Sequence, residues 1–174
     1  MSESREAVQA RYLRQYPNTS PILNACENGN LADVKVLLTI NNINNFGSSA
    51  GSYGTPLIIA AMDEHFQIVK YLIEQGADPN IANSDGWNAL HFAAWYNITN
   101  TELIELLLAH MSLESINKKN RWGHTPLDGA YGANNDSHPL RQEKIALLRS
   151  KGGKANYYDE NGRLVGDGNG DLNH

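Results

Sequence analysis

Three stretches of the 174-residue chain read as copies of one unit: GTPLIIAA (54–61), WNALHFAA (87–94) and HTPLDGAY (124–131). Thr55 to Asn88 spans 33 residues and Asn88 to Thr125 spans 37. A weaker copy, SPILNAC (20–26), starts 35 residues before Thr55. Thr55 and Thr125 suit a helix N-cap, and Pro56 and Pro126 fall at the first helical position, where the missing N–H costs nothing. Each copy is followed by an apolar segment at helical spacing: VKVLL (34–38), IVKYLI (68–73), LIELLL (103–108) and KIALLR (144–149). GADPN (76–80), ESIN (114–117) and GGKAN (152–156) then close three of the four copies with a turn and an asparagine. A lone helical pair of this size cannot bury its own apolar face, so the copies must stack.

Period, two helices and closing turn, recurring in that order over roughly residues 19–156, resemble the ankyrin repeat family. The resemblance implies an all-α solenoid of about four helix-turn-helix repeats, near 19–49, 50–82, 83–119 and 120–156. The expected organisation is a capping helix over 1–17, a repeat domain over 18–156, and a short hairpin with a flexible tail over 157–174. Val8, Tyr12 and Tyr16 give the cap one apolar face. Asn161-Gly162, within YYDENGRLV (157–165), predicts a two-residue hairpin turn. The Gly/Ser-rich stretch NNINNFGSSAGSYG (41–54) predicts a long, mobile finger. Extra residues near 97–101, 111–115 and 132–142 predict enlarged loops.

Composition sets the outer limits. At 41% hydrophobic and 19% charged residues, neither wholesale disorder nor a membrane bundle is expected. The opening MSESREAVQARYLRQY (1–16) is polar rather than leader-like, and an intracellular, cytoplasmic location is expected. Residues 1–110 hold 5 Lys/Arg against 11 Asp/Glu, whereas 115–154 hold 8 against 3. Such polarity can steer a partner or simply be a solvated surface. A net charge of −5 argues against nucleic acid as the partner.

Catalytic and metal motifs are weak. His91 occupies the signature histidine, for which the resemblance implies hydrogen bonding between neighbouring turns; His65 falls in an interhelical turn. Cys26 replaces a small inner-helix alanine and reads as a buried hydrophobe. DGNGDLN (167–173) opens like a calcium loop but lacks its sixth-position glycine and twelfth-position glutamate. The sequons at Asn18, Asn97 and Asn135 read as chance, and Asn80 and Asn117 read as turn amides. No cofactor, metal or enzymatic activity is expected. The enzymatic alternative would pair His124 or His91 with Asp85 or Asp128 in a groove.

The resemblance further implies that partners meet the finger tips and the exposed side of each first helix, a concave surface. Those positions are Ser52, Met62 and Asp63, then Asp85, Trp87, Trp95 and Tyr96, then Arg121, Trp122 and His124. All three tryptophans of the chain fall among them. Indoles concentrate at interface hot spots, so Trp87, Trp95, Tyr96 and Trp122 are expected to converge on one aromatic patch, with Arg121 stacking on an indole. The alternative is that these rings fill packing gaps. The expected function is a non-enzymatic module, monomeric when free, that binds another protein; the alternative is a subunit held permanently in a larger complex.

Overall fold

The computed structural model describes residues 3–96, 99–132 and 140–165. Its chain forms two compact units, 1–83 and 84–174. Ten helices are found among the described residues, with one short two-stranded pairing. None of these helices is long and apolar enough to cross a membrane.

In the first unit, α1 (Arg5–Gln15) begins at Ser4, whose Oγ accepts the Ala7 N–H. Val8 and Tyr12 are buried, as their spacing requires. Tyr12 Oη donates to Asp33 Oδ2 at 2.9 Å, and Arg11 Nη2 reaches Asp33 Oδ1 at 3.0 Å. Both bonds tie α1 to the start of α3 (Leu31–Leu37), the partner of α2 (Pro21–Glu27). The next pair is α4 (Pro56–Met62) and α5 (Phe66–Glu74). Thr55 Oγ1 accepts the Ile58 N–H, so the threonine-proline start works as a cap. Leu57, Ile58, Ile59, Ile68, Val69 and Leu72 are all buried. Each contributes about 1.5–3 kcal/mol through burial. His65 Nε2 lies 2.9 Å from the Glu27 carbonyl, so this histidine links its own turn to the previous one.

The 41–54 finger departs from the expected mobile connection. β1 (Gly47–Ser48) pairs antiparallel with β2 (Tyr53–Gly54), Gly47 opposite Gly54. Helix α2 holds the tip: Asn24 Oδ1 accepts the Ala50 N–H at 2.9 Å. Glu27 Oε1 accepts from Gly51 N and Ser49 Oγ, each at 3.0 Å. These acceptors sit 22–26 residues away in sequence, which is why local glycine and serine content misleads.

The second unit contains α6 (Ala89–Tyr96), α7 (Glu102–His110), α8 (Leu113–Ile116), α9 (Pro126–Gly132) and α10 (Arg141–Ser150). Helix α8 occupies the stretch expected as an enlarged loop. Ser112 caps it by accepting the Ser115 N–H, and it buries Ile116. Thr125 and Asp128 form a reciprocal cap at α9: Asp128 N donates to Thr125 Oγ1, and Thr125 N donates to Asp128 Oδ2. Lys144, one of the eight basic residues of 115–154, is 2% exposed, with Nζ donating to the Ala94 carbonyl.

The C-terminal hairpin forms, with Tyr158 bridging Leu164, but its turn differs from the expectation. Asp159 N donates to the Arg163 carbonyl and Gly162 N to the Asp159 carbonyl, a three-residue loop. Gly162 takes the left-handed position at φ +74°, where other residues are strained. Asp159 Oδ1 accepts from Asn161 N and Arg163 N, which favours the longer loop. The expected tail beyond 165, including the calcium-like run, lies outside the described residues, as do Asn97 and most of the 132–142 insertion.

Candidate protein-binding surface

The start of α6 sets the geometry. Asn88, fully buried, accepts the His91 N–H on Oδ1 at 3.1 Å and donates Nδ2 to the Ser115 carbonyl at 2.9 Å. That anchor places Trp87 two residues before the helix and Phe92, Trp95 and Tyr96 along it. The Trp87 ring lies 5.0 Å from Phe92 and 5.5 Å from Trp95, centroid to centroid. Phe92 and Tyr96, four residues apart, stack at 6.3 Å with planes 20° apart.

A second group of rings comes from the 118–124 finger. Asn120 is buried, and its Oδ1 accepts from Trp122 N and His124 N, each at 3.0 Å. The tip is thereby folded back on itself. Trp122 meets Trp87 edge-on at 6.3 Å, and His124 meets Trp95 edge-on at 5.7 Å. Tyr157 extends the cluster: its ring lies 4.7 Å from His124, and its Oη donates to the Trp122 carbonyl at 2.8 Å. Gly129 permits the close approach of Trp95 to α9, since a Cβ there would meet Trp95 Cε3 at 3.0 Å.

Asp85, Trp87, Trp95, Tyr96, Arg121, Trp122 and His124 are therefore brought together within the second unit. Arg121 Nη1 donates to Asp85 Oδ1 at 2.8 Å, and its guanidinium sits 5.0 Å from the centre of the Trp122 ring. Tyr96 and Trp122 are 48% and 39% exposed, whereas Trp87 and Trp95 are half-buried. The rings thus pack on one another and still leave an open aromatic edge. Ser52, Met62 and Asp63 belong to the first unit and form their own small group. Ser52 Oγ approaches Met62 Sδ at 4.0 Å, and Asp63 is exposed at the end of α4. Desolvation raises the Asp63 carboxyl above its usual pKa, with His65 opposing.

Sequence reading missed Phe92 and Tyr157, and in the first unit the stacked pair Phe46–Tyr53 at 6.2 Å. The four-residue spacing of Phe92 and Tyr96 was an available signal. Tyr157 follows the last repeat and carried none.

His91 and His124 are engaged in structure. Burial holds His91 neutral, its pKa pushed down to about 4, although the His124 carbonyl 3.2 Å from Nε2 pulls the other way. Its Nδ1 lies 2.8 Å from Asn88 Oδ1. Desolvation also lowers His124, against the opposing charge of Asp128. Asp128 is buried and accepts from Thr125 N, Asn156 N and Tyr157 N. Neither imidazole is hydrogen-bonded to a carboxylate among the described residues. Cys26 is buried, and desolvation raises its thiol pKa far above the ordinary value. No group of three His, Cys, Asp or Glu is placed to hold a metal among the described residues.

A family model described as ankyrin repeats (3 copies) matches residues 6–83 and 22–120. The Notch-regulated ankyrin repeat-containing protein of Xenopus laevis is 37% identical over 84 residues, 45% of this chain and 72% of that protein. The ankyrin repeat protein FPV031 of fowlpox virus (strain NVSL) is 32% identical over 144 residues, 76% of this chain and 40% of its own length. The NAD-dependent deacetylase sir2B of Dictyostelium discoideum is 35% identical over 86 residues, but these amount to only 11% of that enzyme. So small a share carries no catalytic activity across.

Proposed function

Because the chain belongs to the ankyrin repeat family, whose repeats generally mediate contacts between proteins, we propose that it is a non-enzymatic binding module with an aromatic hot spot. Trp87, Trp95, Tyr96 and Trp122 are its anchors, with Asp85, Arg121 and His124 at their edge. Ser52, Met62 and Asp63 contribute a second contact region on the earlier finger and helix. In this reading residues 1–17 cap the repeats, 18–156 carry the binding surface, and the free protein is an intracellular monomer.

The observation that carries the reading is the linked set of rings from α6 and the 118–124 finger, open on one edge and braced beneath by Asn88, Asn120 and Gly129. Bracing of this kind limits the ordering cost of association. Replacing both Trp87 and Trp122 with alanine is expected to weaken partner binding by about 2–4 kcal/mol. Affinity enrichment of partners, with circular dichroism to confirm folding, measures it. Unchanged enrichment by a folded double variant would exclude the aromatic patch.

A further inference from the structure

The hydrogen-bonding character of the aromatic edge is one-sided. Indole, guanidinium and ammonium groups donate and do not accept. Among the described residues, the indole N–H groups of Trp95 and Trp122 have no hydrogen-bond partner, and Lys118, Lys119 and Lys154 enter no ion pair. Lys118 and Lys119 are exposed on the same finger as Trp122. Lys119 Nζ reaches only the neutral Asn156 Oδ1, at 2.6 Å, so its charge stays uncompensated. Lys154 is exposed on the neighbouring turn, its backbone N–H held by Asn117 Oδ1.

The nearby carboxylates are committed. Asp85 accepts from Arg121, and Asp128 is buried and accepts backbone N–H groups. The chain's own Arg121 also covers the Trp122 ring. A cationic ligand would have to displace that guanidinium before it found either a carboxylate or the ring face. An anionic ligand meets unpaired donors directly.

Resting on the reading of the aromatic cluster as a protein-binding surface, we infer that it takes an acidic linear segment of a partner protein. The segment's carboxylates lie against Lys118 and Lys119, and its apolar side chains lie against the open edge of the Trp87, Trp95 and Trp122 cluster. A long polyanion fits less well: residues 1–110 hold 11 Asp/Glu against 5 Lys/Arg, so an extended phosphate backbone finds compensating cations only near the finger, whereas a short acidic segment needs no more than those.

The test uses the full chain and three probes: a peptide of alternating Glu and Leu, its Lys–Leu counterpart, and an oligothymidylate. Tryptophan fluorescence and calorimetry report binding. The Glu–Leu peptide is expected to bind, to weaken as salt rises, and to lose about tenfold in affinity when Lys118→Glu and Lys119→Glu are combined. Circular dichroism checks that this exposed double reversal stays folded. Equal or tighter binding of the Lys–Leu peptide overturns the inference, as does tighter binding of the oligonucleotide. Indifference to the charge reversal, or no binding of the Glu–Leu peptide, overturns it too. The two readings separate on Trp87→Ala/Trp122→Ala. If Lys–Leu binding is lost in that variant, the aromatic surface stands and the acidic preference falls. If Glu–Leu binding is unaffected by it, the aromatic surface itself falls, and the inference with it.

Discussion

The same repeat position is filled differently in the two halves of the molecule. Three residues after the capping position stand Ile58 in the first unit and His91 and Asp128 in the second. All three are buried. Ile58 belongs to an apolar inner helix and is held by packing. His91 lies beside the His124 carbonyl, and Asp128 gathers N–H groups from Asn156 and Tyr157. At this position, therefore, the first unit relies on non-directional burial and the second on buried polar bonds. Directional bonds have a further consequence: they fix the backbone on either side of His124 and Tyr157, and so hold the aromatic cluster in place.

The difference can be broken most sharply at Asp128. Asp128→Ala leaves three backbone N–H groups without their acceptor and is expected to destabilise by about 4 kcal/mol. Ile58→Val, removing one methylene from the packed half, should cost only about 1 kcal/mol. Urea unfolding of the two variants compares them directly, and equal losses would refute the contrast.

Acid provides the next test. The unfolded chain binds a proton at His91 near pH 6.5, whereas the folded chain does so only near pH 4. Stability is therefore expected to fall as pH drops through that interval, by about 3 kcal/mol at about 1.4 kcal/mol per tenfold change in proton affinity. Unfolding curves of wild type and His91→Gln at pH 7 and near pH 4 measure the His91 share as the difference between their losses.

Smaller effects sharpen the picture. Gly162→Ala must hold a left-handed backbone in the C-terminal hairpin and should cost about 1 kcal/mol, read as a lower melting temperature. Arg121→Ala removes an ion pair whose side chains are 62% and 40% exposed. A stability change within about 1 kcal/mol is expected, abolished by high salt. A larger change would mean that Arg121 braces the finger rather than edging the surface.

How far the sequence reached depended on the range of the interactions involved. The caps at Thr55 and Thr125, the burial of Val8 and Tyr12, and the buried Cys26 follow from spacings within one helix or one repeat, and all were legible. The finger at 41–54 was misread because its acceptors, Asn24 and Glu27, belong to a helix some two dozen residues earlier. The burial of Lys144 was not legible, because nothing near it in sequence announces the Ala94 carbonyl it reaches. The tryptophan positions were legible through the resemblance, but Phe92 and Tyr157 were not, since the latter joins the cluster from beyond the last repeat.

By itself, the sequence determined the repeat period, the all-α class and the helix starts, because cap chemistry and apolar periodicity act over three or four residues and recur every 33 to 37. Only the tertiary structure decided which rings touch, which charges are already satisfied and which donors are left over. Those outcomes depend on side chains tens of residues apart meeting at distances of a few ångströms, and the same residue types at the same spacings can meet or miss according to how each turn is seated.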